Sequence, residues 1–191
     1  YMLTTGTRLA SGSVLAATRI FNIEKGKTTT LPLDIRQDAN DVSVIGQFNS
    51  ESIISKDGKD VSILSQTGRG YYILAVLGVG QEPTNHALHD IEKERAAFES
   101  WGRPVVLLFE SEADAKKFQK DEFGSLPSTV QYAIDKNGAI REQIAREMKL
   151  QSKTQMPMFI IADTFNRVVF SSQGYTIGLG EQMKNVFKKL K

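Results

Sequence analysis

"YYILAVLGVGQEPTNHALHDIE", residues 71–92, is the stretch whose reading decides the fold. It begins as a continuous apolar run from Tyr71 to Val79, the mark of a strand buried on both faces of a sheet. Glycines at 78 and 80 and a proline at 83 break the run into a short turn. Helical spacing follows, with Thr84 or Asn85 as the expected N-cap and Gly102 as the expected stop after "TNHALHDIEKERAAFESWG". A buried strand, a tight turn and a helix therefore stand in immediate succession.

The pattern repeats downstream. "RPVVLLFE" is a second buried strand, and "SEADAKKFQKDEF" opens a helix with Ser111 and Asp114 at capping-box spacing. "STVQYAID" predicts a third strand and "KNG" a turn. "AIREQIAREMK" predicts a helix with Ile140, Ile144 and Met148 on one stripe. "MPMFIIADTFNRVVFSS" reads as a hairpin turning at 163–166. "GEQMKNVFKKLK" closes the chain with Met183, Val186, Phe187 and Leu190 at helical spacing. Alternation of this kind predicts an α/β domain, a mixed sheet flanked by helices.

Upstream the style changes. Residues 1–48 read as a β-rich segment, with strands in "SVLAATRIFNIE", "TTLPLDIR" and "DVSVIGQF" and a glycine turn in "EKGK". Pro32 marks an edge or irregular pairing. Such strands do not bury a core alone, so they are expected to form an all-β appendage leaning on residues 49–191 or on a missing sheet. In "DGKDVSIL" a turn leads into a short strand. The first residue is Tyr1, and no signal-peptide pattern precedes the first turn, so the chain is expected to be cut from a longer or processed parent.

Composition narrows the chemistry. A net charge of +2 is too small for a nucleic-acid footprint, and the lysines of "KNVFKKLK" suit a helix C-terminus. No apolar run approaches the ~20 residues of a membrane span. The absence of cysteine excludes disulfides, thiolate metal sites and thiol nucleophiles.

From Lys59 onward the order of elements resembles the thioredoxin fold in its TlpA and peroxiredoxin variants. Residues 57–84 resemble the opening hairpin, central strand and active-site loop, and "STVQYAID" with "AIREQIAREMK" resembles the insertion of those variants. Met156-Pro157 resembles the loop carrying the family's cis-proline, followed by the terminal hairpin and helix. The resemblance covers about two-thirds of the chain and places Gln81 and Thr84 at the two CxxC cysteines, with Glu82 and Pro83 between them. It implies a polar spot facing a proline loop that pairs with an extended peptide. It carries no redox chemistry, because disulfide exchange needs a thiolate. The first segment loosely resembles a β-rich region of secreted transglutaminase-like proteins of Bacteroidetes. That implies an extracytoplasmic parent whose catalytic domain is absent here.

Other residues have plainer roles beside the chemical ones their types allow. His86, His89 and Asp90 lie at i, i+3 and i+4 and offer part of a metal site, though an exposed helix surface explains them as simply. Glu110, Glu112 and Asp114 cluster after the second buried strand, where helix capping accounts for Asp114. Phe98, Trp101 and Phe118 sit at core spacing. "GVGQ" and "GYTIGLGEQ" lack the features of a phosphate loop. The expectation is a redox-inactive binding or structural module with no catalytic residues and no cofactor. Its partners are other domains of the parent or an extended peptide. The alternative is an accessory domain presenting substrate to an absent transglutaminase-like or protease-like catalytic domain.

Overall fold

The computed structural model describes residues 2–8, 14–20, 23–28, 42, 44–47, 53–118, 123–150 and 152–190. The strand expected in "TTLPLDIR", with Pro32, lies outside them; the helix expected through Phe123 is corrected, ending at Lys117 with Phe118 already extended (φ −64°, ψ 109°).

Among the described residues two sheets are present. β1 (Met2–Arg8) and β2 (Val14–Ile20) form an antiparallel pair by themselves; β1 is not anticipated in the sequence reading. The larger sheet has eight strands. At its centre β6 (Tyr72–Val76) runs parallel to β7 (Val105–Phe109), and β7 parallel to β8 (Val130–Ile134). On the other side β9 (Met158–Ala162) runs antiparallel to β6 and β10 (Arg167–Gln173) antiparallel to β9. The short β3 (Gly46–Gln47) closes that edge against β10. These two residues, grouped with the first segment in the sequence reading, thus pair within the larger sheet. The opposite edge is the hairpin of β4 (Ile53–Lys56) and β5 (Lys59–Ser62), with β4 beside β8. Its turn, Asp57-Gly58, has positive φ at both residues, as a tight two-residue hairpin requires.

The predicted double burial of the central strand holds: every residue of β6 is buried. Alternate side chains divide between two cores. Ile73, Ala75 and Leu77 meet α2 (Glu82–Lys93), α3 (Arg95–Trp101) and α6 (Leu179–Lys189), with Leu88, Ile91, Phe98, Met183 and Phe187 in the same cluster. Tyr72, Leu74 and Val76 meet α1 (Ile63–Thr67) and α5 (Ala139–Glu147) through Ile63, Ile140 and Ile144. The expected mixed sheet flanked by helices is the architecture found.

Three local expectations are corrected. The helix after the central strand begins at Glu82 with Gln81 as N-cap, ahead of the predicted caps Thr84 and Asn85. Pro83 fits the first turn, where a missing N–H costs nothing. The same helix is broken at Glu94 (φ −98°, ψ 15°) instead of running to Trp101. The break falls where α6 presses closest. A Cβ on Gly180 would sit 2.3 Å from the Asp90 carbonyl, and Glu94 is ion-paired to Lys184 at 2.8 Å. Third, the strand in "DGKDVSIL" stops at Ser62, whose Oγ accepts from the Ser65 N–H and caps α1. The predicted stop at Gly102 is found in left-handed conformation, and Ser111 caps α4 (Glu112–Lys117) with Asp114 as anticipated.

Candidate functional site

The turn after β6 is held by its own short-range bonds. The sheet ladder extends one residue beyond the strand, from the Leu77 N–H to the Leu108 carbonyl. The Gln81 N–H then returns to the Gly78 carbonyl at 3.2 Å, with Gly80 at φ +73°. The Gln81 side chain covers Gly78, since a Cβ there would lie 2.4 Å from the Gln81 amide carbon. Gln81 is exposed and folded over that glycine. Thr84 is buried at 1 % exposure, and its Oγ1 accepts from the Gly78 N–H at 3.2 Å. It therefore pins the turn to the first turn of the helix. Among the described residues no base is bonded to Thr84, and its bond to Gly78 is a structural one.

Pro157 lies at the same end of the sheet, because the last residue of β6, Val76, faces Met158 across the antiparallel pair. The Met156–Pro157 peptide is cis. The Pro157 carbonyl accepts from the Gly174 N–H at 2.8 Å, which ties the proline loop to the loop entering α6. Among the described residues, no hydrogen bond is made by the Met156 backbone N–H or carbonyl. On the loop that follows Gly174, Tyr175 and Ile177 are 50 % and 78 % exposed. Sequence reasoning passed over this pair, although apolar residues between glycines at 174 and 178 are an available signal of an exposed loop.

The histidines part company. His86 stacks on Tyr175 (centroids 4.4 Å apart), and its Nε2 lies 3.8 Å from Asp90 Oδ2 without a hydrogen bond. His89 turns to Glu92 (2.8 Å) and to the Phe123 ring. Asp90 is buried and spoken for: its Oδ2 accepts from the Leu179 N–H at 3.1 Å, capping α6, and its Oδ1 from Lys93. Among the described residues no group of three or more His, Cys, Asp or Glu converges on a point. Of the carboxylates after β7, Glu110 pairs with Arg141 at 2.8 Å and Asp114 closes the Ser111 cap. Asp135, at the end of β8, is buried and accepts from the Ile140 and Arg141 N–H groups at the start of α5. Burial pushes its carboxyl above the ordinary range, and those amides oppose the shift.

No protein-family model matches the chain, and no curated protein matches it. Solved structures do. A protein from Chlorobium tepidum assigned as the thiol:disulfide interchange protein DsbE is 15% identical, with TM-score 0.55 over 76% of this chain and 97% of its own. Peroxiredoxin 5 from Alvinella pompejana is 11% identical, with TM-score 0.55 over 75% of this chain and 97% of its own. A thiol:disulfide interchange protein from Bacteroides sp. is 15% identical, with TM-score 0.51 over 75% and 88%. Such likeness establishes a thioredoxin-like α/β fold and nothing finer. The chain itself contains no cysteine. The resemblance of the first segment to a transglutaminase-like parent gains no support. Among the described residues no helix is long and apolar enough to cross a membrane.

Proposed function

We propose that residues 49–191 form a redox-inactive thioredoxin-like binding module of a larger extracytoplasmic protein, with residues 1–48 as its β-rich appendage. The module holds an extended segment, either a peptide or a strand of a neighbouring domain, across the end of the sheet where Gln81, Thr84, Met156 and Pro157 lie. One observation carries this reading: Met156, whose backbone is unpaired among the described residues, precedes Pro157, which is bonded to Gly174 at the start of the loop that exposes Tyr175 and Ile177. An extended chain gains from both, through main-chain hydrogen bonds and through burial of alternate apolar side chains. Gln81 and Glu82, both exposed, supply polar contacts at the rim. The lack of thiols suits a module that retains its ligand without exchanging disulfides with it.

The test is a titration of the isotope-labelled protein with reduced, carboxymethylated lactalbumin, a permanently unfolded chain. Amide resonances of Met156 and of residues 174–178 are expected to shift saturably. Ile177→Asp should weaken binding about tenfold, the scale of one buried aliphatic side chain. Saturable shifts elsewhere, or none, would remove the reading. The same preparation should reduce insulin no faster than buffer.

A further inference from the structure

At the opposite end of the sheet a second feature is independent of that reading. Phe98, fully buried in the core, meets Phe187 edge-on at 4.9 Å, and Phe187 stacks flat on Trp101 at 4.1 Å and 10°. This aromatic ladder runs from the core between α3 and α6 to the half-buried indole of Trp101. There it lines a groove of about 400 Å³, within the size range of small-molecule sites. Leu190 and Ala97 extend the apolar part, while Arg103, Lys184 and Lys188 supply cations.

These cations are unequally matched. Lys184 is paired with Glu94 at 2.8 Å. Arg103 and Lys188 have no ion pair with a described residue; Lys188 donates only to the Asn185 side chain. The Arg103 guanidinium lies against Gly70, where a Cβ would come within 2.8 Å of Nη1. The absence of a side chain at residue 70 thus gives it a surface to rest on. Among the described residues no acidic side chain lines the groove. An aromatic and aliphatic floor under an excess of positive charge fits a ligand with an apolar body and an anionic head. A planar guanidinium suits a carboxylate in particular.

We propose that the α3–α6 groove is a binding site for a small amphipathic carboxylate, its apolar body against Trp101, Phe187 and Leu190 and its head at Arg103 and Lys188. Trp101 is the single tryptophan of the chain, so its indole N–H gives one resonance that reports on the groove. Octanoate is the probe, and octan-1-ol, with the same tail and no charge, is the control. The indole resonance and the amides of Phe187 and Leu190 should move saturably with octanoate, and octan-1-ol should bind at least about fivefold more weakly. Replacing two exposed cations together, Arg103→Gln with Lys188→Gln, should erase that difference while leaving octan-1-ol binding unchanged. Each step is about 1 kcal/mol, the size expected of a solvent-facing charge pair. Equal binding of acid and alcohol would overturn the proposal. So would shifts centred away from the groove, or no saturation below about 10 mM octanoate.

Discussion

The two ends of the central strand are built by opposite rules. Where β6 begins, side chains seal the backbone. The buried Tyr72 hydroxyl donates to Asn166 Oδ1 at 2.7 Å, and Thr164 Oγ1 both accepts from the Gly70 N–H and donates to its carbonyl. The Asp163 carboxylate takes the Phe165 and Arg167 amides together with the Arg167 guanidinium. Where β6 ends, buried polar groups are used to anchor helices: Thr84 holds α2, Asp90 holds α6 and Asp135 holds α5. The loops between those anchors are left with the unpaired backbone of Met156 and exposed apolar side chains. The contrast separates an end whose strand backbone is sealed by side chains from one whose loop backbone is left open, and substitutions should obey it.

The largest effect is expected at the sealed end. Asn166→Ala strands the buried Tyr72 hydroxyl and places a Cβ residue without local hydrogen bonding at φ 56°, costing about 2–3 kcal/mol in urea unfolding. Asn166→Gly tolerates that backbone, so it should lose only the hydrogen-bond share, about 1–2 kcal/mol. Equal losses in the two variants would show that the turn's conformation contributes nothing. Next is Asp90→Ala, which leaves the Leu179 N–H buried without an acceptor. It should cost about 1–2 kcal/mol, and exchange of the first α6 amides should quicken together with the loss in global stability.

How much of this was legible in the sequence follows from range. The order of strands and helices was readable because burial repeats at periods the chain displays, as in residues 71–79 and 140–148. Local caps such as Ser111 and Gly102 were readable for the same reason: their partners lie within a turn. The break at Glu94 was not, since it depends on Gly180 and Lys184 some 90 residues later. Asp90 read as a candidate metal ligand because its helix spacing to His86 and His89 was visible, while the amide it caps, Leu179, was not. Thr84 was assigned a cap role on helix α2. Its actual partner, Gly78, lies on the strand side of the turn, and only the closed loop brings them together.

A smaller effect with a definite sign comes from Asp135. Its folded carboxyl is raised above the ordinary 3.8, chiefly by burial, so the protonated form is favoured in the folded protein. The stabilisation tied to this group is therefore complete below 3.8 and is lost as pH rises through the raised folded value. Asp135→Asn has no such dependence. Its stability deficit relative to the parent, about 1 kcal/mol from one weakened cap, should be larger at acid pH than at neutral pH. Urea midpoints of both proteins from mildly acid to neutral pH measure this. A deficit that grows with pH would mean that the Ile140 and Arg141 amides outweigh burial.

The smallest effect on stability is expected where the effect on binding is largest. Ile177 is 78 % exposed, and the loop that carries it is anchored at both ends by backbone donors from Gly174 and Leu179. Ile177→Asp should therefore change unfolding free energy by no more than about 0.5 kcal/mol, as for other surface substitutions. An exposed aliphatic side chain that contributes nothing to the fold leaves its effect to whatever covers it. If Ile177→Asp instead destabilised the protein as much as Asp90→Ala, the loop would be part of the folded core's support. The two ends of β6 would then differ in geometry but not in purpose.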